Sequence, residues 1–319
     1  MPFVTLPDLK MHYEEAGGGD DTLVMVHGNF ASWRWWKPVM ERLPFGYHAY
    51  IPDLRGSGDT DRTPDGHTVE QLAADIYEFA KALELSKFHL VGHSLGGAVS
   101  LQFTLDHPEM VYDLVLVAPA PAEGMPNLRK PAQHQSWLLG LFELSDPKNF
   151  ASYLSPETLE TTYQQVRTLC ANRLFLRRAI MKMTPSWRHD DNPDFEALVD
   201  DAVRMSPEAM VGHLLSLEKW NVQARLDSVE QPVLILLGKQ DGLVHPKEMK
   251  RTVRPLKRGR LVVWRGVGHS PQIERPERFM WLLTSFISRN EVQQRPGLLW
   301  GVWERLSRPL RDRYVKKRQ

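Results

Sequence analysis

Through the first 120 residues, short apolar runs bounded by turn formers alternate with longer stretches whose apolar positions recur every three to four residues. Thr22–Val26, Ala49–Ile51, Phe88–Val91 and Val111–Ala118 read as strands, and several are apolar on both faces, as strands buried within a parallel sheet are. Trp33–Leu43, Val69–Leu85 and Leu95–Asp106 carry the helical period. The second opens on Thr68-Val-Glu-Gln71, a capping-box pattern. Strand–helix alternation of this kind predicts a mostly parallel α/β sheet. Phe3–Leu6 and Lys10–Glu14, joined through Pro7-Asp8, predict an antiparallel hairpin added at its edge.

The texture changes near Pro119. Four prolines (Pro119, Pro121, Pro126, Pro131) punctuate a loop, and about 90 residues follow with helical spacing and no convincing strand. This stretch is rich in Trp, Tyr, Phe and Met. Alternation then returns with strands at Pro232–Gly238 and Arg260–Trp264 and a helix over Pro276–Ser288. The expected organisation is an α/β core in two parts, 1–119 and 226–290, interrupted by a helical cap at 120–225. A C-terminal extension, 291–319, follows. Residues 295–319 carry eight Lys and Arg against Glu304 and Asp312, and Leu299, Trp300, Trp303, Leu306 and Leu310 are spaced as one apolar stripe, broken or kinked at Pro309.

Composition narrows the classes. The 319 residues carry 40 Lys and Arg against 39 Asp and Glu, a net charge of +1, which argues against a nucleic-acid partner. Cys170 stands alone, so no disulfide forms within the chain, and a reducing, cytoplasmic location fits. No apolar run reaches the about 18 residues of a membrane span, and Met1–Lys10 lacks the pattern of a signal peptide. The basic tail offers either peripheral contact with an anionic membrane or packing on its own domain or a second subunit.

Candidate chemistry begins at Gly92-His-Ser-Leu-Gly-Gly97. The pattern G-x-S-x-G is common by itself, but here it follows an apolar strand and opens a helix, the turn that exposes a nucleophilic hydroxyl. Ser94 would then sit at a helix N-terminus, where backbone N–H groups favour developing negative charge. A serine near neutral pH requires a base and a group to orient it. His269, in Gly266-Val-Gly-His-Ser-Pro271 beyond a late strand, is the expected base. Asp241, after the strand Val233–Leu237, is the expected acid, with Glu123 as its competitor from a neighbouring strand end. For the oxyanion created by attack on a carbonyl, the donors expected are the backbone N–H groups of Leu95 and Asn29, with Phe30 the alternative for the second.

These motifs, together with Pro52-Asp-Leu-Arg-Gly-Ser-Gly58, occur in an order that resembles the capped α/β-hydrolases, a superfamily of carboxylesterases, epoxide hydrolases, haloalkane dehalogenases, lactonases and carbon–carbon bond hydrolases. The resemblance covers about residues 3–290. It implies an eight-stranded, mostly parallel sheet with helices on both faces and a helical cap, and it makes Asp53 and Arg55 loop-fixing residues and His93 a packing residue. Epoxide hydrolases and dehalogenases use an aspartate nucleophile where this chain has Ser94, so an alkyl-enzyme ester is not expected.

The resemblance thus implies a cofactor-independent serine hydrolase of small to medium hydrophobic esters or lactones. The alternatives are a carbon–carbon bond hydrolase and a ligand-binding or signalling protein on the same scaffold. Trp137, Phe142 and Met183 are the candidates for lining an acyl pocket beneath the cap. No metal or cofactor motif is evident, and Gly17-Gly-Gly19 reads as a loop between early strands.

Overall fold

The computed structural model describes residues 2–125 and 172–294. Eight strands form one sheet: β1 (Phe3–Thr5), β2 (Lys10–Gly17), β3 (Asp21–Val26), β4 (Tyr47–Pro52), β5 (Phe88–His93), β6 (Val111–Val117), β7 (Val233–Gly238) and β8 (Gly259–Trp264). Their order is β1-β2-β4-β3-β5-β6-β7-β8. The hairpin β1–β2 and the β2–β4 pair are antiparallel, and every pairing from β4 to β8 is parallel.

Both faces of the central strands β3, β5, β6 and β7 are covered, which is why these strands are largely apolar and buried. Val24, Val26, Leu90, Leu114, Leu116, Ile235 and Leu237 pack into a layer with α2 (Val69–Ala82) and α3 (Leu95–Asp106). The intervening residues Leu23, Met25, Val91, Val115, Val117, Leu234 and Leu236 pack against the short α1 (Lys37–Met40) and the last described helix (Pro276–Gln294). Alternation along a strand therefore separates two cores, not core from solvent. Each fully buried Leu or Ile contributes roughly 1.5–3 kcal/mol.

Several boundaries differ from the pattern, each for a local reason. Trp33–Leu43 is a 3₁₀ turn (Trp33–Trp36) followed by α1, because Pro38 lacks the N–H that a continuous helix would use. At the start of α2 the Thr68 hydroxyl accepts from the Gln71 N–H at 3.2 Å, but the Gln71 amide turns to Asp75 at 3.0 Å, so only half of the capping box forms. Helix α2 ends at Ala82, where Glu84 turns left-handed (φ 57°) and the Leu85 N–H returns to Ala80. The final helix, expected over Pro276–Ser288, continues to Gln294, past residue 291 where the extension is expected to begin. A helix over Pro246–Val253 has no counterpart in the sequence reading. Its start is marked by His245-Pro246 and by Glu248, which reaches back to the His245 N–H at 2.8 Å.

Among the described residues, three helices stand between β6 and β7: α4 (Arg173–Met183), α5 (Pro193–Arg204) and α6 (Pro207–Lys219). Asn172, Asn192 and Ser206 cap their first N–H groups, and the last two helices open on proline, which loses nothing there. Leu176, Ile180, Phe195, Leu198 and Val199 form an apolar cluster with Ala31, Trp35 and Ile273 of the core. Trp137, Phe142, Cys170 and the tail 295–319 lie outside the described residues. No described helix is long and apolar enough to cross a membrane.

Candidate active site

Ser94 sits at the junction of β5 and α3 with φ 55° and ψ −116°, a conformation that a residue with a side chain adopts only under compulsion. The compulsion is steric. A Cβ on Gly92 would stand 2.2 Å from the Gly96 carbonyl oxygen, and one on Gly96 would stand 2.4 Å from the carbonyl oxygens of Val26 and His27. Only glycine permits the strand and helix to approach so closely. The Ser94 N–H is fixed to the Val117 carbonyl at 3.0 Å, while its carbonyl takes the Gly97 N–H at 2.9 Å. Its hydroxyl is thereby carried at the N-terminal end of α3.

Asp241 follows β7 and His269 follows β8. The buried Asp241 carboxylate accepts the Nδ1–H of His269 at 2.8 Å with Oδ2, while Oδ1 takes the N–H groups of Leu243 and Val244 at 2.8 and 3.1 Å. With the proton on Nδ1, Nε2 of His269 is the basic nitrogen. The loop is held from both sides: the His269 N–H donates to the Met183 carbonyl at the end of α4 (2.9 Å), and its carbonyl accepts from Nε2 of His93 (3.0 Å). His93 is stacked on Trp35, and burial, with His269 adding to it, pushes its pKa well below the usual value. Glu123, the competing acid, pairs instead with Arg251, at 3.0 Å from its Nε.

The loop after β3 lies against Ser94, since a Cβ on Gly28 would stand 3.0 Å from the Ser94 Cβ. His27 anchors it. Its Nε2 accepts the Leu54 N–H at 2.9 Å, so Nδ1 carries the proton and donates to the Gly28 carbonyl at 2.8 Å. Burial lowers the pKa of His27 and keeps it neutral. The Phe30 N–H is consumed by Oδ1 of Asn29 at 3.1 Å. The backbone N–H groups of Asn29 and Leu95 have no partner among the described residues. That distinction favours Asn29 over Phe30 as a donor to an incoming oxyanion.

Asp53 and Arg55 tie the neighbouring loop. Asp53 accepts from the N–H groups of Trp33 (2.7 Å) and Asp59 (3.1 Å) and pairs with Nδ1 of His12 at 2.7 Å. Arg55 makes a bidentate pair with Asp75, at 2.9 and 2.7 Å, and reaches Asp8. Burial works to lower the Arg55 pKa, but its carboxylate partners outweigh it and the net shift is upward.

The sequence pattern of the alpha/beta hydrolase fold family matches residues 21–276. The chain belongs to the α/β-hydrolase family. It is 27% identical over 307 residues to Epoxide hydrolase 2 of Caenorhabditis elegans, covering 92% of this chain and 81% of that one. It is 24% identical over 289 residues to a 2-hydroxy-6-oxononadienedioate/2-hydroxy-6-oxononatrienedioate hydrolase of Pseudomonas putida, with 88% of this chain and 93% of that one covered. Among solved structures, an esterase from Exiguobacterium antarcticum superposes with a TM-score of 0.71 at 22% identity, over 89% of this chain and 98% of that one. The protein is thus a hydrolase of the α/β fold.

Within this α/β-hydrolase, the sequence reading missed two residues that hold the site together. Glu274 accepts the Gly268 N–H at 2.8 Å and binds Ser186 of the cap. His213, on α6, lies 3.1 Å from Oδ1 of Asn29 through its Nδ1. Neither belongs to a local motif. Glu274 carries a weak signal, ending the short helix Pro271–Glu274 just after His269, whereas His213 is 184 residues from its partner and carries none.

Proposed function

We propose that the protein is a serine hydrolase that cleaves carboxylic esters or lactones through an acyl-enzyme, with Ser94 as nucleophile, His269 as base and Asp241 as its orienting acid. The observation that carries this reading is a serine held at φ 55° on the turn into α3, beside a loop offering the unpartnered N–H of Asn29.

Nε2 of His269 removes the Ser94 proton as the oxygen attacks the carbonyl carbon. The resulting oxyanion lies toward the N–H groups of Leu95 and Asn29, donors that need no reorganisation at the moment of reaction. His269 then protonates the leaving alcohol, and water repeats the sequence to release the acid. Asp241 stabilises the imidazolium and fixes its tautomer without taking the proton. The serine sets this chemistry apart from that of its epoxide-hydrolase relative, for which the family resemblance implies an aspartate nucleophile.

The test is steady-state hydrolysis of p-nitrophenyl esters from acetate to palmitate by the wild type and Ser94→Ala. Turnover that peaks at one chain length and is lost in the variant is the expected result. Turnover that survives in Ser94→Ala overturns the mechanism. Absence of ester turnover, with Ser94-dependent cleavage of a vinylogous diketone, assigns the site to carbon–carbon bond hydrolysis instead.

A further inference from the structure

We propose that His213 is a positioning residue for this reaction: a neutral donor on cap helix α6 that fixes the Asn29 side chain, and with it the backbone N–H of Asn29 that receives the oxyanion. The inference rests on the serine-hydrolase reading and adds to it a residue from the cap, 184 positions from its partner.

The tautomer follows from the partners of Asn29. Its Oδ1 must be the acceptor, because the Phe30 backbone N–H donates to it at 3.1 Å. Its Nδ2 donates to the Met210 carbonyl at 3.3 Å, which fixes the other end of the amide. The group facing Oδ1 at 3.1 Å is Nδ1 of His213, which must therefore carry the hydrogen. Nε2 is then a bare lone pair, and it is buried without a partner among the described residues. A cation here would bury a second N–H with no acceptor. Burial, reinforced by His67 and His27, accordingly drives the His213 pKa well below its ordinary value.

Packing alone does not account for a histidine at this position. His213 is fully buried, and leaving Nε2 unpartnered is a penalty that an apolar side chain would avoid. What the imidazole supplies is one hydrogen bond, made to the loop that touches Ser94. The helix that supplies it is a fixed frame. The Ser206 N–H at its start donates to the Gly56 carbonyl at 2.8 Å, and Ser216 accepts the Val69 N–H at 2.8 Å. At Gly212 the helix lies so close to the core that a Cβ would stand 2.5 Å from the Cβ of His67. Among the described residues, all side-chain hydrogen bonds of Asn29 thus come from its own loop or from α6.

Three substitutions separate this role from packing. His213→Asn keeps an amide N–H near the position of Nδ1. His213→Gln moves it one carbon further out, and His213→Leu removes it. With the best p-nitrophenyl ester, kcat for the Gln and Leu chains should fall on the order of tenfold to a hundredfold with KM within about threefold, the size expected for a displaced oxyanion donor. The Asn chain should keep most of the wild-type kcat. Thermal melting checks that each chain is folded, and the Asn–Gln comparison stands if the Leu chain does not fold. Equal kcat for Asn and Gln, or wild-type kcat in all three, overturns the inference while leaving the serine mechanism intact. A wild-type chain without Ser94-dependent turnover overturns both.

Discussion

Glu274 joins the loop of His269 to Ser186, three residues beyond the end of α4. One carboxylate oxygen accepts the Gly268 N–H at 2.8 Å, and the other accepts the Ser186 N–H at 3.0 Å and the Ser186 hydroxyl. Glu274→Ala leaves the buried Gly268 N–H and the half-buried Ser186 donors without this acceptor, a loss of about 2–3 kcal/mol. The melting temperature should drop by roughly 3–5 °C, and kcat should fall with it as the His269 loop loosens. Thermal denaturation beside ester kinetics measures both. A chain that melts and turns over like the wild type would show that Glu274 holds nothing.

Asp241→Asn should keep the turn, because the amide oxygen can still accept from Leu243 and Val244. The amide nitrogen would face Nδ1 of His269 and force its proton to Nε2, the wrong tautomer for a base. A loss of about 10³–10⁴ in kcat with little change in melting temperature is expected, by analogy with the triad aspartate of serine proteases. Retention of a tenth of the activity would remove Asp241 from the mechanism.

Gly28→Ala tests how tightly the oxyanion loop is set. The added methyl would stand 3.0 Å from the Ser94 Cβ and 3.2 Å from Nδ1 of His93, so the loop must retreat by a few tenths of an ångström. Activity should fall on the order of tenfold, since small displacements of oriented groups are costly to rate. The melting curve should move little. Kinetics and melting of the one variant decide the matter, and unaltered kcat would place the oxyanion elsewhere.

Acid should destabilise the fold through its buried histidines. His27, His93 and His213 have pKa values lowered from 6.5, chiefly by burial. As pH falls through about 6.5 the unfolded chain takes up protons that the folded chain refuses. Stability is therefore full above that value and declines below it, by on the order of 1 kcal/mol per pH unit for each histidine. Chemical denaturation between pH 8 and 5 should follow this sign. A midpoint that is flat from pH 7 to 5 contradicts it.

What could be read from sequence was whatever the local chain dictates. Several strands apolar on both faces announced a sheet covered on both sides, and Gly92–Gly97 announced the turn that strains Ser94. Motif order pointed to Asp241 and His269, and the fold brings them to 2.8 Å. Glu123 could be set aside only once its pairing with Arg251 was visible. Long-range polar contacts were illegible for a different reason. Nothing near His213 in the chain marks it, and Glu274 is marked only weakly, because Asn29 and Ser186 reach them only when the chain folds back. The choice between Asn29 and Phe30 likewise turned on one side-chain hydrogen bond that no spacing encodes.

The anchoring of α6 bears on how such an enzyme can be re-engineered. Trp220, just beyond the helix, donates its indole N–H to Gln102 of α3 at 3.0 Å, and the Leu217 carbonyl accepts the Met125 N–H at 2.8 Å. With Ser206 bound to Gly56 at its other end, this last cap helix is built into the core on which it rests. A chimera that borrows a lid from another hydrolase is therefore best spliced ahead of Ser206, keeping the native helix beyond it. A splice after Trp220 would exchange all the helices between β6 and β7 and dismantle the proposed oxyanion scaffold in the same cut.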